Sequence, residues 1–436
     1  MTRAHLVLLV AGGTIAACAA TTPIPPNAGV GPNPTLPPPS HSLIPTVHVA
    51  KAGSWAEGAA PKAADGLRVN AFARGLDHPR WVYVLPNGDV LVAETNAPAR
   101  PEEGKGFKAF FMKLFMKKAG AGTPSADRIT LLRDLDGDGV AETKTAFIQG
   151  LHSPFGMALV GDTLYVANAD AVVKFPYKAG ETQIAAAPAK VVDLPGGPRN
   201  HHWTKSLVAN RDGSKLYAGI GSNSNAAENG IEAETDRAAV AEIDPRSGTR
   251  RTFASGIRNP VCLAWEPASG KLWVVANERD ELGNDLVPDY LTSVREGAFY
   301  GWPYSYYGQN IDERVKPQDP ERVSKAIAPD YALGSHVAAL GLTFAEGSAL
   351  GARFANGAFI GEHGSWNRNP RSGYAVVFVP FANGKPAGTP VDVLTGFVEN
   401  DAAHGRPVGV AIDKRGALLV ADDVGNVIWR VSAATR

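Results

Sequence analysis

Two adjacent histidines, His201 and His202, are the side chains whose type and spacing most readily permit acid–base chemistry in this chain. An imidazole can take up a proton near neutral pH, so either residue could act as a general base. They lie in the segment NHHWTK (200–205), whose last residue, Lys205, adds a cation to the same loop. A loop histidine can also cap a strand or fill a packing gap, so the doublet favours a catalytic role only modestly.

Arginines occupy three other polar loops. Arg258 lies in SGIRNP, Arg368 in EHGSWNR and Arg406 in GRPVGVA, and Asn259 adds an amide beside the first of them. A guanidinium binds carboxylate or quinone oxygens through paired N–H groups. Several arginines around one pocket would therefore indicate a polyanionic ligand.

Two acidic stretches could hold a cation. Glu278, Arg279 and Asp280 follow the apolar run KLWVVA and form an oxygen-rich loop, although charge runs are usually solvated. The stretch 134–139 reads DLDGDG and places carboxylates at the first, third and fifth positions of a calcium-type loop. Its twelfth position is Thr145 rather than glutamate, so a complete EF-hand is not expected, and such a turn can simply close a hairpin.

These loops belong to a repeat. Six segments open with a polar turn containing His, Arg or Asn, and an apolar run, a short Gly/Asn/Asp turn and a second apolar run follow each opening. The openings begin at Gly75, Gly150, Arg199, Gly256, His336 and His404. A hairpin repeat of about fifty to eighty residues is typical of propellers. We predict an all-β fold, a six-bladed β-propeller of four-stranded antiparallel blades, with the openings on one face and the last strand pairing near the first.

Composition excludes some classes of function. The chain has 436 residues, and 43 Lys+Arg balance 43 Asp+Glu, so no net charge favours nucleic acid. The two cysteines, Cys18 and Cys262, cannot form a disulfide framework, and the apolar run around Cys262 predicts a core position. No P-loop, HExxH or CxxCH motif is present, so the matching nucleotide, zinc and haem sites are not predicted.

The N-terminus has the pattern of an export signal. A basic start and a short apolar run precede Ile-Ala-Ala-Cys18, which resembles the lipobox of bacterial lipoproteins. An ordinary secretory signal is the alternative interpretation, and both place the protein outside the cytoplasm. We predict a signal over 1–17, a Pro/Ala-rich tether over 18–62 and the propeller over 63–436.

One insertion interrupts the repeat. Residues 104–122 read GKGFKAFFMKLFMKKAGAG, in which phenylalanines and lysines alternate at helical spacing. This pattern predicts a short, basic amphipathic helix. The helix could pack on the propeller, or it could contact anionic lipid or a membrane redox partner as a second attachment beside a lipid at Cys18.

The whole set of motifs resembles one family. NHHWTK, SGIRNP, NERDELGNDLVPDYL, EGAFYGWPYSYYG, EHGSWNR and GRPVGVA together are similar to pyrroloquinoline quinone (PQQ)-dependent sugar dehydrogenases of the soluble glucose dehydrogenase type. The resemblance is closest to the L-sorbosone dehydrogenase-like branch and covers roughly residues 66–433. It implies a six-bladed propeller that binds PQQ and calcium on its axial face and oxidises aldoses or related aldehydes.

The resemblance also implies roles for single residues. His202 matches the catalytic base, and the adjacent His201 is the alternative match. Arg258 and Asn259 match a pair that contacts PQQ. Arg406 matches an arginine on a PQQ carboxylate.

Other positions match the family less closely. Arg368 lies near the position at which the family has a lysine over the cofactor. Lys205 is also expected to bind the cofactor. Residues 278–280 fall where the glucose enzymes give backbone carbonyls to calcium, but the residue types differ. Ser222 stands where those enzymes have an aspartate.

We therefore expect a quinoprotein dehydrogenase acting on a sugar or a sugar-derived aldehyde or alcohol. A membrane quinone or cytochrome is the expected electron acceptor, and the periplasmic face of a membrane is the expected location. Two rivals remain: a calcium-dependent propeller hydrolase or lactonase, and a non-catalytic propeller that binds a glycan or protein at the envelope. The accumulation of arginines at the loop openings favours the dehydrogenase, because neither rival needs it.

Overall fold

The computed structural model describes residues 25, 27–40, 46–99, 118–120 and 122–434. Cys18 and nearly all of the predicted 104–122 helix lie outside these residues, so the lipid anchor and the helix stay predictions. The described residues are almost entirely β, as the sequence predicted. They contain no helix long and apolar enough to cross a membrane.

The strands follow one another in a regular series. In chain order the first are β1 (Lys51–Ala52), β2 (Lys62–Ala63), β3 (Leu67–Arg74), β4 (Pro79–Val84), β5 (Val90–Glu94), β6 (Arg128–Arg133), β7 (Thr143–Ile148), β8 (Met157–Val160), β9 (Thr163–Ala167), β10 (Ala171–Pro176) and β11 (Ala189–Asp193). Next come β12 (Leu207–Ala209), β13 (Leu216–Ile220), β14 (Ala239–Ile243), β15 (Arg250–Ser255), β16 (Asn259–Trp265), β17 (Leu272–Asn277), β18 (Pro288–Ser293), β19 (Ser305–Tyr306), β20 (Asn310–Ile311) and β21 (Tyr331–Ser335). The last are β22 (Ala339–Phe344), β23 (Gly357–Glu362), β24 (Ala375–Ala382), β25 (Lys385–Pro386), β26 (Val391–Thr395), β27 (Val398–Glu399), β28 (Ala402–Ala403), β29 (Pro407–Ile412), β30 (Leu418–Asp422) and β31 (Val427–Ala433). The helical elements whose bounds lie within the described residues are α1 (Pro320–Lys325) and the 3₁₀ turns Ile231–Glu234 and Ala352–Phe354.

Antiparallel four-stranded sheets are the repeating unit of the described chain. Four of them run β4-β5-β6-β7, β8-β9-β10-β11, β12-β13-β14-β15 and β16-β17-β18-β21. A fifth sheet runs β22-β23-β24-β26 and is extended by β2. In the sixth, β3 from the N-terminal side pairs antiparallel with β31, which confirms the predicted pairing of the last strand with the first.

The first strands of the sheets contact one another in the order β8, β12, β16, β22, β29 and β4. Glycines permit this close approach, because a Cβ at Gly341 would lie 2.0 Å from the Val408 carbonyl oxygen. The second strands VLVAE, LYAGI and LLVAD are buried over their whole length, since neighbouring sheets cover both of their faces. Cys262 is buried too, as predicted. This architecture is consistent with a β-propeller.

One end of every sheet carries two polar loops. In an antiparallel sheet, the loop before the first strand and the loop after the second strand lie at the same end. In two of the sheets, the acid that ends the second strand holds the opening loop of its own sheet, and Glu94 does so by accepting the Asp77 backbone N–H. Asp422 Oδ1, for example, accepts the Arg406 backbone N–H at 2.8 Å. The predicted opening loops are therefore brought to a common face, which we call the loop face.

A strap formed by residues 27–40 and 46–63 lies against the sheets. Its backbone N–H groups donate to carbonyls of strands and loops, from Gly31 to Ala332 (2.9 Å), from Ser40 to Leu282 (2.8 Å) and from Gly53 to Ala403 (2.7 Å). A Pro-rich segment cannot build a core of its own, but its extended backbone can pair with groups already fixed by a fold. The part of the predicted tether that the structure describes is thus docked on the propeller.

Trp55 is the main anchor of the strap. Its indole Nε1 donates to Asp422 Oδ2 at 2.7 Å, and its ring meets Trp429 edge-on at 5.3 Å. Trp55→Ala should therefore lower the free energy of unfolding by about 2 kcal/mol, less than for a fully buried tryptophan, and should expose the strap to protease. Limited proteolysis and urea unfolding would measure both effects, with the exposed strap residue Lys51→Ala as the control. Equal cleavage rates in the two variants would contradict this role.

Candidate active site at the loop face

His202 is held in one tautomer. Its Nδ1 lies 2.9 Å from Ser222 Oγ and 3.0 Å from the Ser222 carbonyl oxygen. The carbonyl can only accept, and the Ser222 hydroxyl donates its own proton to the Ser224 carbonyl at 2.7 Å. Nδ1 must therefore carry the hydrogen, and Nε2 is the nitrogen whose lone pair can take a proton.

His201 is placed differently from its neighbour. It is exposed, and its ring meets the half-buried ring of His202 edge-on at 4.6 Å. Orientation by a hydrogen-bonded partner is what a general base requires. The geometry favours His202 over His201 for that role, and the choice between them stays a prediction.

Asn259 lies beside His202. A Cβ added at Gly221 would fall 2.3 Å from the His202 Cβ and 2.6 Å from Asn259 Oδ1, so the two side chains meet over this glycine. Asn259 is buried, and its Oδ1 has no hydrogen-bond partner among the described residues. A buried polar atom without a partner is costly unless a ligand satisfies it. Asn259 is thus placed to contact a ligand next to the imidazole.

Arg258 is buried, and all of its donors are used within the protein. Nε donates to the Asn225 carbonyl (3.2 Å), and Nη1 donates to the carbonyls of Asn277 (3.4 Å) and Glu278 (2.6 Å). Nη2 donates to Asn225 Oδ1 (3.0 Å) and Asp280 Oδ2 (3.2 Å). Arg258 therefore fixes the loops of two adjacent sheets, and a ligand that bonded to it would have to share these contacts.

The oxygens of residues 278–280 are already engaged by donors. Besides the Glu278 carbonyl held by Arg258, the Asp280 carbonyl accepts from Asn225 Nδ2 at 3.1 Å. Arg279 is buried in an ion pair with Asp312 and donates Nη1 to the same Asp280 carbonyl. Guanidinium groups on these oxygens make a poor fit for calcium. The assignment of a metal to Glu278, Arg279 and Asp280 stays a prediction, and no step below depends on it.

The Asp280 carboxylate joins two sheets. It accepts from Asn367 Nδ2 at 2.8 Å and lies 3.5 Å from His336 Nδ1. Burial alone would raise the pKa of Asp280, but the His336 hydrogen bond and the Arg258 charge hold it well below its usual range. Asp280 is therefore ionised at neutral pH and fixes the positions of the side chains around it.

A second group of side chains, the axial cluster, gathers around Asp423. Its members are His78, Arg80, His363, Arg406 and Asp423, and they come from three sheets. His363 Nε2 donates to the Asp423 carboxylate at 3.0 Å, and Arg80 Nη1 donates to it at 3.1 Å. Arg406 stacks on Tyr374 at 4.7 Å and donates Nη2 to its hydroxyl at 3.0 Å. The predicted Arg406 thus belongs to a larger constellation.

Charge organises the axial cluster. Burial alone would raise the pKa of Asp423, but the charges of His363, His78 and Arg80 lower it below its usual range. Burial, together with the charges of Arg406 and Arg80, lowers the pKa of His363 to about 4. His363 is therefore neutral at physiological pH and uses its N–H on Asp423.

Sequence reasoning did not name Arg80 or Asp423 as site residues. Both occupy repeat positions that could have been compared across the six units. Arg80 follows the polar turn of the first opening, and Asp423 follows the acid that ends a second strand. Nothing in either local pattern shows that the two side chains meet.

Two predicted cofactor-binding residues lie apart from this geometry. Lys205 is fully buried, donates Nζ to the Trp203 carbonyl at 2.9 Å, and has a pKa lowered far below its usual range by burial. A ligand on the loop face could not reach it without rearrangement. Arg368 donates to Asp285 Oδ1 (2.7 Å) and to the Pro370 carbonyl (2.8 Å) at the rim.

The acidic turn 134–142 lies at the opposite end of its sheet from the opening loops. Asp134, Asp136, Asp138 and Glu142 each place an oxygen within 4.8 Å of the others, so Glu142 supplies a fourth carboxylate. Asp134 also accepts backbone N–H groups of the turn, as it would in an ordinary hairpin closure. Calcium binding in this turn stays a prediction and would be structural rather than catalytic.

Buried acids give the loop face a pH-dependent stability. Burial and the nearby charge of Asp289 raise the pKa of Glu278 to about 7. Because the folded pKa exceeds the unfolded one, the contribution of Glu278 is full below about pH 4.5 and is lost as the pH rises through about 7. In wild type, the free energy of unfolding should therefore fall between pH 5 and pH 8. In Glu278→Gln, this fall should be smaller by roughly 2–3 kcal/mol, as measured by urea unfolding at the two pH values. The exposed Glu57→Gln is the control, and an unchanged pH dependence in Glu278→Gln would refute the assignment.

Solved structures share this fold. The holo form of the pyranose dehydrogenase PQQ domain from Coprinopsis cinerea matches with a TM-score of 0.69 and 20% identity, over 88% of this chain and 100% of that one. The calcium structure of the Trichoderma reesei carbohydrate-active enzyme of family AA12 matches with a TM-score of 0.67 and 19% identity, over 89% of this chain and 99% of that one. The PQQ-bound aldose sugar dehydrogenase from Streptomyces coelicolor matches with a TM-score of 0.56 and 18% identity, over 86% and 100%.

A curated relative comes from Borreliella burgdorferi (strain ATCC 35210 / DSM 4680 / CIP 102532 / B31) and is described as an uncharacterized protein. It is 30% identical over 241 residues, which are 55% of this chain and 62% of that protein. The matched part therefore spans less than two thirds of that relative.

The family comparison covers most of the propeller. A family model described as TrAA12-like matches residues 127–295 and 306–434. These ranges include His202, Arg258 and Arg406. Together with the fold of the AA12 and sugar dehydrogenase structures, the match confirms the resemblance to PQQ-dependent sugar dehydrogenases. The chain belongs to the TrAA12-like family.

Proposed function

We propose that the protein is a PQQ-dependent oxidoreductase that acts on a sugar or a sugar-derived alcohol or aldehyde. The observation that carries the proposal is the fixed tautomer of His202, whose Nδ1 is committed to Ser222 while Nε2 can accept a proton. Membership of the TrAA12-like family and structural neighbours titled as PQQ enzymes support the same function.

The loop face fits a flat, polyanionic quinone. Buried polar atoms there have no hydrogen-bond partner among the described residues, namely Asn259 Oδ1, Asn367 Oδ1, Arg406 Nε and Arg80 Nε. Carboxylate and carbonyl oxygens would satisfy the arginine donors, and a cationic cradle would offset the charge of several carboxylates. Asn259 and Arg406 are the residues we assign to PQQ, and Arg258 positions the loop beneath them.

When bound, PQQ supplies a two-electron acceptor for the hydride that leaves the substrate carbon. His202 accepts the proton of the substrate hydroxyl at Nε2, so that a carbonyl forms. Ser222 keeps the imidazole in the required tautomer and orientation throughout.

Further features belong to the same proposal. We take the six four-stranded sheets to be six blades, and we keep calcium as a cofactor because a calcium structure exists within family AA12. The electron acceptor is proposed to be a membrane quinone or cytochrome. The proposed location is the periplasmic face of a membrane, with a lipid at Cys18 and contact through residues 104–122.

The rival hydrolase would need carboxylates around a metal on the axis. Among the described residues, the carboxylates close enough to share one ion lie in the 134–142 turn, at the far end of the sheet. This arrangement supports the dehydrogenase over the lactonase.

Dye-linked oxidation tests the proposal. Purified protein should reduce an artificial electron acceptor in the presence of PQQ and an aldose or sorbosone, and it should lose this activity when PQQ is omitted. Parallel assays with EDTA and added calcium would test the metal. Substrate turnover without PQQ, or lactone hydrolysis instead of oxidation, would overturn the assignment.

A further inference from the structure

The loop after β13 fixes the position of the proposed base. We call residues 222–226 the support loop, and Ser222 is its first residue. The Ser222 carbonyl accepts the His202 backbone N–H at 3.3 Å, and its carbonyl and hydroxyl oxygens lie 3.0 and 2.9 Å from Nδ1. The Ser222 backbone N–H donates to the Arg258 carbonyl at 2.8 Å. A shift of the support loop would therefore move the acceptors that hold the imidazole.

Glu234 holds the histidine end of the support loop. It is the last residue of the 3₁₀ turn Ile231–Glu234 and is 8% exposed. Its Oε2 accepts the Asn223 backbone N–H at 2.6 Å, and its Oε1 accepts the Ser224 hydroxyl. Ser222 donates its own hydroxyl to the Ser224 carbonyl at 2.7 Å, so Glu234 fixes the residue that orients Ser222. Burial raises the pKa of Glu234, and the two hydrogen bonds to its oxygens oppose that rise.

Arg237 lies one turn further along and joins the support loop to the loop that carries the base. Its Nη1 donates to Asn200 Oδ1 at 3.1 Å and to the Gly221 carbonyl at 3.4 Å. Asn200 lies two residues before His202, and Gly221 directly precedes Ser222. One buried guanidinium therefore bridges the two loops whose approach creates the contact between imidazole and serine.

The other end of the support loop is held independently. Glu228 accepts the backbone N–H groups of Asn225 at 3.0 Å and Ala226 at 2.6 Å. The Asn225 side chain in turn accepts from Arg258 Nη2 at 3.0 Å. Removing the Glu234 carboxylate should therefore loosen the histidine end of the loop and leave the Arg258 contacts in place.

We propose that Glu234 and Arg237 are positioning residues that together hold His202 in the tautomer whose Nε2 faces the substrate. The inference rests on the proposed function, because the oxidation step is what uses the lone pair of Nε2. Both side chains act through others, Glu234 through the support loop and Arg237 through Asn200. An imidazole whose Nδ1–H has lost its acceptors exchanges between tautomers, and Nε2 then carries the hydrogen in part of the molecules.

The tautomer can be observed without PQQ or substrate. Long-range ¹H–¹⁵N NMR spectra of the full chain with labelled histidine show which nitrogen of a neutral ring carries the hydrogen, and His202→Gln identifies the His202 signals. Wild type should carry it on Nδ1, and Glu234→Ala should show a mixture of tautomers. Ser224→Ala, which removes only the hydroxyl that reaches Glu234, should do the same. Glu232→Gln changes an exposed acid of the same turn and should give the wild-type spectrum.

Turnover gives a second readout. With PQQ bound, Glu234→Ala should lower kcat by about ten- to a hundredfold, the loss expected when a reacting group is misplaced. Its Kd for PQQ should stay close to that of wild type. Glu234→Gln keeps one acceptor oxygen and should fall between, and Arg237→Lys, which lacks the planar fork, should also lower kcat. Circular dichroism checks that each variant folds, and Glu234→Gln and Ser224→Ala carry the test if Glu234→Ala does not fold.

The two readouts separate this inference from the proposed function. A wild type that takes up no PQQ, with a His202 tautomer that still shifts in Glu234→Ala, would remove the proposed function and leave the positioning role standing. A wild-type tautomer retained in the folded Glu234 and Ser224 variants would overturn the inference. A loss of PQQ affinity as large as the loss of kcat would also contradict it, because a general disturbance of the site would then explain both.

Discussion

Replacing His202 by alanine should lower the turnover of the PQQ-loaded enzyme by about 10²- to 10⁴-fold, the usual contribution of a general base. The reason is that Nδ1 is fixed on Ser222, so the side chain removed is the one oriented to take a proton at Nε2. PQQ affinity should stay close to that of wild type, because the arginines and Asn259 remain. Single-turnover kinetics and a PQQ titration would separate the two effects.

His201→Ala is the matched control for this experiment. His201 is an exposed imidazole adjacent in sequence, so its removal tests whether any histidine in the doublet suffices. We expect a loss of less than about tenfold, because no catalytic proton transfer is assigned to it. If His201→Ala lost more activity than His202→Ala, the roles of the two residues would be exchanged.

The largest expected effect on stability comes from Arg279. Arg279 and Asp312 are each 1% exposed at the side chain and form an ion pair, with Nη2 donating to Asp312 Oδ1 at 3.1 Å. Arg279→Ala leaves a buried carboxylate without its partner, which typically costs about 3–5 kcal/mol. Urea unfolding monitored by tryptophan fluorescence would measure the change. The free energy of unfolding should fall by that amount, and PQQ binding should weaken because Asp280 is the next residue.

A double variant distinguishes charge burial from packing. Arg279→Met with Asp312→Leu removes both charges and keeps apolar volume, so much of the lost stability should return. A double variant as unstable as Arg279→Ala would show that shape rather than the unpaired carboxylate carries the cost.

The strand pattern and the position of the site follow from local sequence. The runs VLVAE, LYAGI and LLVAD form strands, as the repeat of apolar runs predicted, and the structure shows that these strands are buried over their whole length. The repeat also predicted that the polar openings share one face. That inference follows from the alternating direction of antiparallel strands alone. The loop before the first strand and the loop after the second strand must lie at the same end of the sheet.

Side-chain partners across sheets could not be predicted in this way. Arg80 and Asp423 are separated by 343 residues in sequence, and the pairing depends on ring closure rather than on either segment. Arg258 likewise uses its donors on Asn225 and on the loop after β17. These contacts depend on how three loops meet in space, so no single loop sequence predicts them. For the same reason, the Pro-rich composition predicted a tether, whereas the structure shows that Trp55 and the strap pack on the sheets.

The most direct test of the account is the absorbance of purified apo-protein reconstituted with PQQ and calcium, recorded before and after addition of aldoses and sorbosone. The account predicts a bound quinone spectrum that substrate bleaches. It also predicts that His202→Ala takes up PQQ but fails to bleach. Absence of PQQ uptake in the presence of calcium would contradict the central claim and return the protein to the hydrolase and binding alternatives.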